Sequence, residues 1–187
     1  MALDIVLIAI GAVIVLGVII LFWLYNSLIS KKMRVDNAWS QIDVQLTKRY
    51  ELVPNLVETV KGYAKHEKEI FENVAAARTA WANAKTVGEK AKADSSFAGA
   101  LKSIMAVSEN YPDLKANENF KMLQEQLDGI ESKVAYARQF YNDSVMDYNT
   151  AIAQMPQAMV AGMLGFAPKE YFKADSDAVR APVKVKF

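Results

Sequence analysis

The sequence predicts an all-α protein in which an N-terminal transmembrane helix continues into an elongated antiparallel four-helix bundle. Three observations carry that expectation. An uncharged apolar run extends from Ile5 to Tyr25. Apolar residues recur at three- and four-residue steps through most of the remaining chain. Glycine and proline are scarce, 8 and 5 of 187 residues, whereas alanine, lysine, glutamate and leucine are plentiful, as helices prefer.

The length accommodates one domain and an anchor. Lysine and arginine total 22 against 21 aspartates and glutamates, so there is no overall basic field and no nucleic-acid partner is expected. Cysteine is absent, which removes disulfides, thiolate nucleophiles and cysteine metal sites together.

Four segments follow in order: residues 1–4, a transmembrane helix over 5–25, a helical bundle over 26–154, and an apolar, extended C-terminal tail over 155–187. The run Ile5–Tyr25 has the length that spans roughly 30 Å of hydrocarbon. Trp23 and Tyr25 stand at its C-terminal end, where amphipathic rings favour the headgroup layer. A signal peptide would carry basic residues before the run and a small-residue cleavage site after it, and neither is seen here. Lys31, Lys32 and Arg34 lie on the C-terminal flank instead. The positive-inside rule then places the N-terminus outside and the helical domain in the cytoplasm.

No glycine or proline falls between Tyr25 and Val53, so the membrane helix is expected to run on as a rod of about 70 Å. Val35, Trp39, Ile42, Leu46 and Val53 form its stripe, and Arg49 takes one step out of turn. Pro54 is expected to end this helix and open the next. Leu56, Val60, Tyr63, Ile70, Val74, Ala77 and Trp81 continue the spacing, with Glu67 on an inward step. The pattern lapses into a turn near Thr86-Val87-Gly88. A third helix carries Phe97, Leu101, Ile104, Ser108 and Tyr111 to Pro112. Asn117 caps a fourth, striped from Phe120 to Ile152 and ending at Pro156. Short connections favour burial of these stripes within one chain, although the same heptad-like spacing suits a coiled coil between chains. The segment Met155–Phe166 is apolar and methionine-rich, suited either to closing the bundle or to contacting lipid or protein. The alternation in Pro182–Phe187 suits a short strand or an extended arm.

His66 is the single histidine, so the His-Glu-x-x-His pair of a zinc protease is missing. Carboxylates such as Asp36, Asp43, Glu51 and Glu58 are interspersed with basic residues, as in solvated salt pairs. No glycine-rich phosphate loop is present. No catalytic residue, cofactor or metal is expected. Two pairs, Tyr141-Asn142 and Tyr148-Asn149, repeat at a seven-residue interval with Arg138 one turn earlier. They put polar groups on or beside the inward stripe, where an unpaired group is costly and a paired one fixes register.

The run Val35-Asp36-Asn37-Ala38-Trp39-Ser40-Gln41-Ile42-Asp43 and the segment Arg49-Tyr50-Glu51-Leu52-Val53-Pro54-Asn55-Leu56 through Tyr63-Ala64-Lys65-His66-Glu67 resemble the LemA family of bacterial membrane proteins. So do Ala77-Arg78, Glu109-Asn110-Tyr111-Pro112, Ala137-Arg138, the two Tyr-Asn pairs, Gly165-Phe166 and Tyr171-Phe172. The resemblance implies a single-pass anchor in the bacterial cell (inner) membrane, an elongated helical bundle, and no defined catalytic residue. The residues singled out for structural or interaction roles are Trp39, Asn55, Tyr63, Arg78, Arg138, Tyr141, Asn142, Tyr148, Asn149 and Phe166.

The function expected is that of a non-enzymatic scaffold that homo-oligomerises on the lipid bilayer and organises or remodels it. The alternative is an adaptor or regulator that binds another membrane protein, such as a membrane protease. An enzymatic reading would need a polar cluster among Asn37, Asn55, Glu58, His66, Arg138 and Asn142.

Overall fold

The computed structural model describes residues 1–173, and helices account for nearly all of them. Among the described residues these are α1 (Ala2–Tyr63), α2 (Lys68–Asn83), α3 (Val87–Ser108), α4 (Pro112–Ala116), α5 (Glu118–Ala153) and α6 (Gln157–Leu164), with no strand. The alternating stretch Pro182–Phe187 lies outside the described residues. The chain divides into two compact units, one of Met1–Ser40 with Phe140–Lys169, the other of Gln41–Gln139 with the chain from Glu170.

In the first unit every residue from Met1 to Trp23 is exposed, and Leu24 is the first to be buried. A helix apolar on all sides that no described residue buries is long and apolar enough to cross a membrane. Packing begins where Leu24 and Leu28 of α1 meet Ala151 of α5 and Val160 and Ala161 of α6. Part of the expected apolar tail is thus helical. Gly165 ends α6 in the left-handed conformation (φ 71°), and the Phe166 amide donates to the Ala161 carbonyl at 3.0 Å. Phe166 is thereby turned back edge-on to Tyr25, 6.2 Å between ring centres.

In the second unit one apolar core gathers Val53, Leu56 and Val60 of α1, Val74 and Ala77 of α2, Phe97, Leu101 and Ile104 of α3, Leu114 of α4, and Phe120, Leu123 and Leu127 of α5. These are the predicted stripes, turned inward. Two boundaries differ from expectation. Pro54 lies inside α1, which continues to Tyr63. Proline removes the bond to the Tyr50 carbonyl, but Val53 and Leu56 on either side are fully buried and hold the helix through the defect. The chain breaks instead at Ala64–Glu67, where the stripe would have carried Glu67 inward. Glu67 is only half-buried there and accepts a hydrogen bond from the Tyr111 hydroxyl at 3.3 Å.

Caps mark the other ends. Asn117 Oδ1 accepts from the Phe120 amide at 3.0 Å, as its position before α5 predicts. The lapse near Thr86 is a full capping box. Thr86 Oγ1 accepts from the Glu89 amide at 3.1 Å, and Glu89 Oε2 accepts from the Lys85 and Thr86 amides at 2.8 and 3.0 Å. Those backbone donors hold the Glu89 carboxyl below its ordinary value of 4.5. Replacement Thr86→Ala is expected to cost about 1 kcal/mol, measured by denaturant titration of the full chain in detergent. The Glu89 contribution is present above the ordinary glutamate range and is lost as pH falls through the lowered folded value. Glu89→Gln should therefore destabilise at neutral pH and lose that deficit in acid.

Candidate functional site

The most unusual chemistry in the second unit is a buried ionic network spanning three helices. Arg49 interrupts the apolar stripe of α1, and its side chain points inward nonetheless, 2% exposed. It pairs with Asp94 of α3, also 2% exposed, and with Glu131 of α5, which is half in solvent. The second oxygen of Asp94 takes Arg138 of α5. One carboxylate thus lies between two guanidiniums, and Glu131 supplies the second negative charge. Burial lowers the pKa of Arg49, and the Glu131 charge opposes that shift; an arginine remains charged throughout the accessible range.

Aromatic rings complete the shell. Arg49 lies 5.5 Å from the Phe97 ring centre, Phe97 stacks on Tyr50 at 6.3 Å, and Arg78 of α2 covers Tyr50 at 4.6 Å. Arg138 sits 5.1 Å from the ring of Phe172, a residue 3% exposed beyond α6. The negative ring faces offset part of the positive charge. The Nε atoms of Arg49, Arg78 and Arg138 are buried without a hydrogen-bond partner among the described residues, so the network is not built for maximal stability. Its physical consequence is register. Sliding α1, α3 or α5 by one turn, about 5.4 Å, would leave a buried charge unpaired.

The first unit has a neutral counterpart. Tyr141 and Tyr148 are buried, as their spacing predicts. Tyr141 meets Trp39 edge-on at 5.6 Å. Tyr148 donates its hydroxyl to the Ala167 carbonyl at 3.1 Å, and burial raises its pKa, which keeps that proton in place. Asn149 donates from Nδ2 to the Lys169 carbonyl and accepts the Lys169 amide at Oδ1, both at 2.9 Å. This amide imitates a backbone partner and clamps the segment after α6. Lys169 Nζ then reaches Asp36 at 2.9 Å.

Of the residues singled out from sequence, Arg78 and Arg138 fall in or beside the ionic network. Trp39, Tyr141, Tyr148, Asn149 and Phe166 fall in the first unit's packing, with Asn142 half-buried beside them. Tyr63 is remote from both, accepting from Asn117 Nδ2 at 3.0 Å, and Asn55 is exposed. Arg49 and Asp94 were missed, although Arg49 breaks the α1 stripe and Asp94 falls three residues before Phe97 on the stripe of α3. Of the residues an enzymatic reading would need, Asn37, Asn55, Glu58 and His66 are exposed, His66 in the turn after α1, and Arg138 stands one turn before the half-buried Asn142 on α5. Among the described residues no group of histidine, aspartate and glutamate is arranged to hold a metal ion.

The described residues thus form a helical protein in which one helix is long and apolar enough to cross a membrane. The LemA family model matches residues 38–187, and the chain belongs to that family. Relatives include Magnetosome protein MamQ 1 and Magnetosome protein MamQ 2 of Paramagnetospirillum magneticum, each 27% identical over 175 residues, covering 80% of this chain and 64% of the relative. Magnetosome protein MamQ of Magnetospirillum gryphiswaldense is 26% identical over 174 residues, covering 79% and 64%. The chain thus spans slightly under two thirds of these relatives' length. The apolar helix and these relatives together fit a bacterial membrane protein.

Asp94→Asn, which leaves two arginines facing a neutral amide, is expected to cost about 3–5 kcal/mol in denaturant titration of the full chain in detergent. Glu131→Gln, at a half-exposed position, should cost less than about 1 kcal/mol. The triple change Arg49→Met, Asp94→Leu, Arg138→Met should recover most of the Asp94→Asn loss. Asn149→Ala should leave the helices intact by circular dichroism while making the chain at 166–169 measurably more sensitive to limited proteolysis.

Proposed function

We propose that this protein is a non-enzymatic, single-pass scaffold that self-assembles on the bacterial cell membrane and organises the bilayer beneath it. The observation that carries the reading is the unpacked apolar helix through Trp23, followed directly by packed helices. A helix that leaves lipid and is packed within one turn of it restricts the orientation of the helices packed on it to the membrane. Repeated side by side, such units impose one geometry on the lipid. Lys31, Lys32 and Arg34 favour a cytoplasmic domain. The helices of the second unit suit an antiparallel four-helix bundle.

Self-assembly draws its support from surface, since the heptad-like stripes are spent inside the chain. On the outer side of α5, Met122 and Tyr136 are 51% and 75% exposed. Gly11, Ala12 and Gly17 allow close approach between membrane helices, although they form no Gly-x-x-x-Gly pattern. The relatives carry the name of a magnetosome protein, which is compatible with a role in organising membrane. The adaptor reading shares the anchor but replaces self-contact with a partner.

The test is the mass of the full-length protein after mild detergent extraction, by light scattering, with Tyr136→Glu alongside. Uniform particles of many copies, reduced in size by Tyr136→Glu, are expected. A single copy, or one copy with a second protein, would overturn self-assembly, the latter in favour of the adaptor.

A further inference from the structure

Between Tyr148 and Pro168 the chain carries no charged residue, and α6 lies within that stretch. One side of α6 is spoken for, because Val160 and Ala161 are buried against Leu24 and Leu28. Its other side is not. Met159 is 61% exposed, Met163 83% and Leu164 56%, and Met155 just before the helix is 73% exposed. So much apolar surface on one short helix requires a cover.

Its neighbours identify the cover. Val18, Leu21, Phe22 and Tyr25 of α1 form an apolar groove with Val160, Met163 and Leu164 of α6. The α1 side of that groove is continuous with the fully exposed apolar helix that precedes it. From Val18 to Tyr25 is about 10 Å of helix at 1.5 Å per residue, close to the roughly 5–10 Å that an interfacial helix sinks below the headgroups. Tyr25 and Leu164 also line a second, more polar hollow on the side of higher α1 numbers, together with Lys32, the Phe166–Lys169 segment and Tyr148. Apolar groove, aromatic ring and lysine therefore follow one another along α1 in the order of acyl chain, interface and phosphate. Methionine suits a face that meets irregular acyl chains.

We infer that α6 is a membrane-seated foot: its Met159–Met163 face lies in the headgroup–acyl boundary of the leaflet that α1 leaves, covered by phospholipid. The inference rests on the membrane reading above. It adds that the chain meets the bilayer twice, once across it and once along its surface. A helix inserted shallowly into one leaflet spreads that leaflet alone, which gives the scaffold a means of curving the membrane.

The absence of cysteine permits a direct test on the full chain. Single substitutions Ile14→Cys, Met159→Cys, Met163→Cys and Tyr136→Cys would each be labelled with an environment-sensitive fluorophore. The proteins would be reconstituted in phosphatidylcholine–phosphatidylglycerol vesicles, with circular dichroism confirming helix content. Labels at 159 and 163 are expected to shift to the blue and lose more than half their fluorescence to a quencher carried near the headgroup end of the acyl chains. A label at 14 should respond to a deeper quencher, and one at 136 to neither. A lipid response at 14 with water-like signals at 159 and 163 overturns the foot and leaves the membrane reading standing. Blue-shifted labels at 159 and 163 that lipid quenchers do not reach mean that protein covers the face, and also overturn it. Water-like signals at 14, 159 and 163 together overturn both.

Discussion

The second unit depends on one carboxylate held between two arginines. Apolar stripes specify which face of a helix turns inward, yet they tolerate sliding by a turn, because one leucine replaces another at the same spacing. Asp94 does not tolerate it. With Arg49 on α1 and Arg138 on α5 as its partners, a shift of any of the three helices exposes the core to an uncompensated charge. The rings of Phe97, Tyr50 and Phe172 are placed by the same residues, since each of the first two lies in the sequence of contacts from Arg49 to Arg78, and the third under Arg138. The network gives up some stability and returns a single arrangement, the trade seen wherever a polar group fixes the register of an apolar core.

The first unit solves its register with neutral groups. Tyr148 and Asn149 take as partners the carbonyl of Ala167 and both main-chain groups of Lys169. A main-chain partner satisfies a buried side chain without introducing a charge. It also fixes the segment that returns from α6, so the two Tyr-Asn repeats serve different ends. Tyr141 contributes an aromatic edge to Trp39, and Tyr148 a hydrogen bond to backbone.

Much of this was legible in the sequence, for physical reasons that differ by residue. The stripes were readable because helical periodicity is local, and the burial of Tyr141, Tyr148, Leu123 and Ile104 follows from it. The Asn117 cap was readable for the same reason. Pro54 was misread because its penalty is local, about 3 kcal/mol, while burying Val53 and Leu56 returns about 1.5–3 kcal/mol each and depends on helices far along the chain. The Thr86-x-x-Glu89 box coincides with a lapse in the apolar stripe, and the stripe alone does not distinguish a cap from a plain turn. Arg49 appeared as an interruption, but its pairing with Asp94 and Glu131 joins residues 45 and 82 positions apart, and no spacing rule reaches that far. The α6 helix has 8 residues, too few to establish a period.

The apolar segments raise a subtler ambiguity. A protein core and a lipid tail select the same residue types, so composition cannot say which will cover Leu24 or Met163. Exposure in the folded chain shows which of them the described residues already cover. Leu24 and Leu28 are buried by protein within a few residues of Phe22 and Trp23, which no described residue buries. On the proposed reading the change from one cover to the other occurs within a single turn of α1, next to α6, whose inner face is buried by the chain and whose outer face is left exposed. On that reading α6 joins packing to membrane contact: whatever moves it on Leu24 and Leu28 moves apolar surface at the bilayer. A scaffold that acts on membrane shape needs such a joint, because packing within the protein can reach the lipid only through residues that touch both.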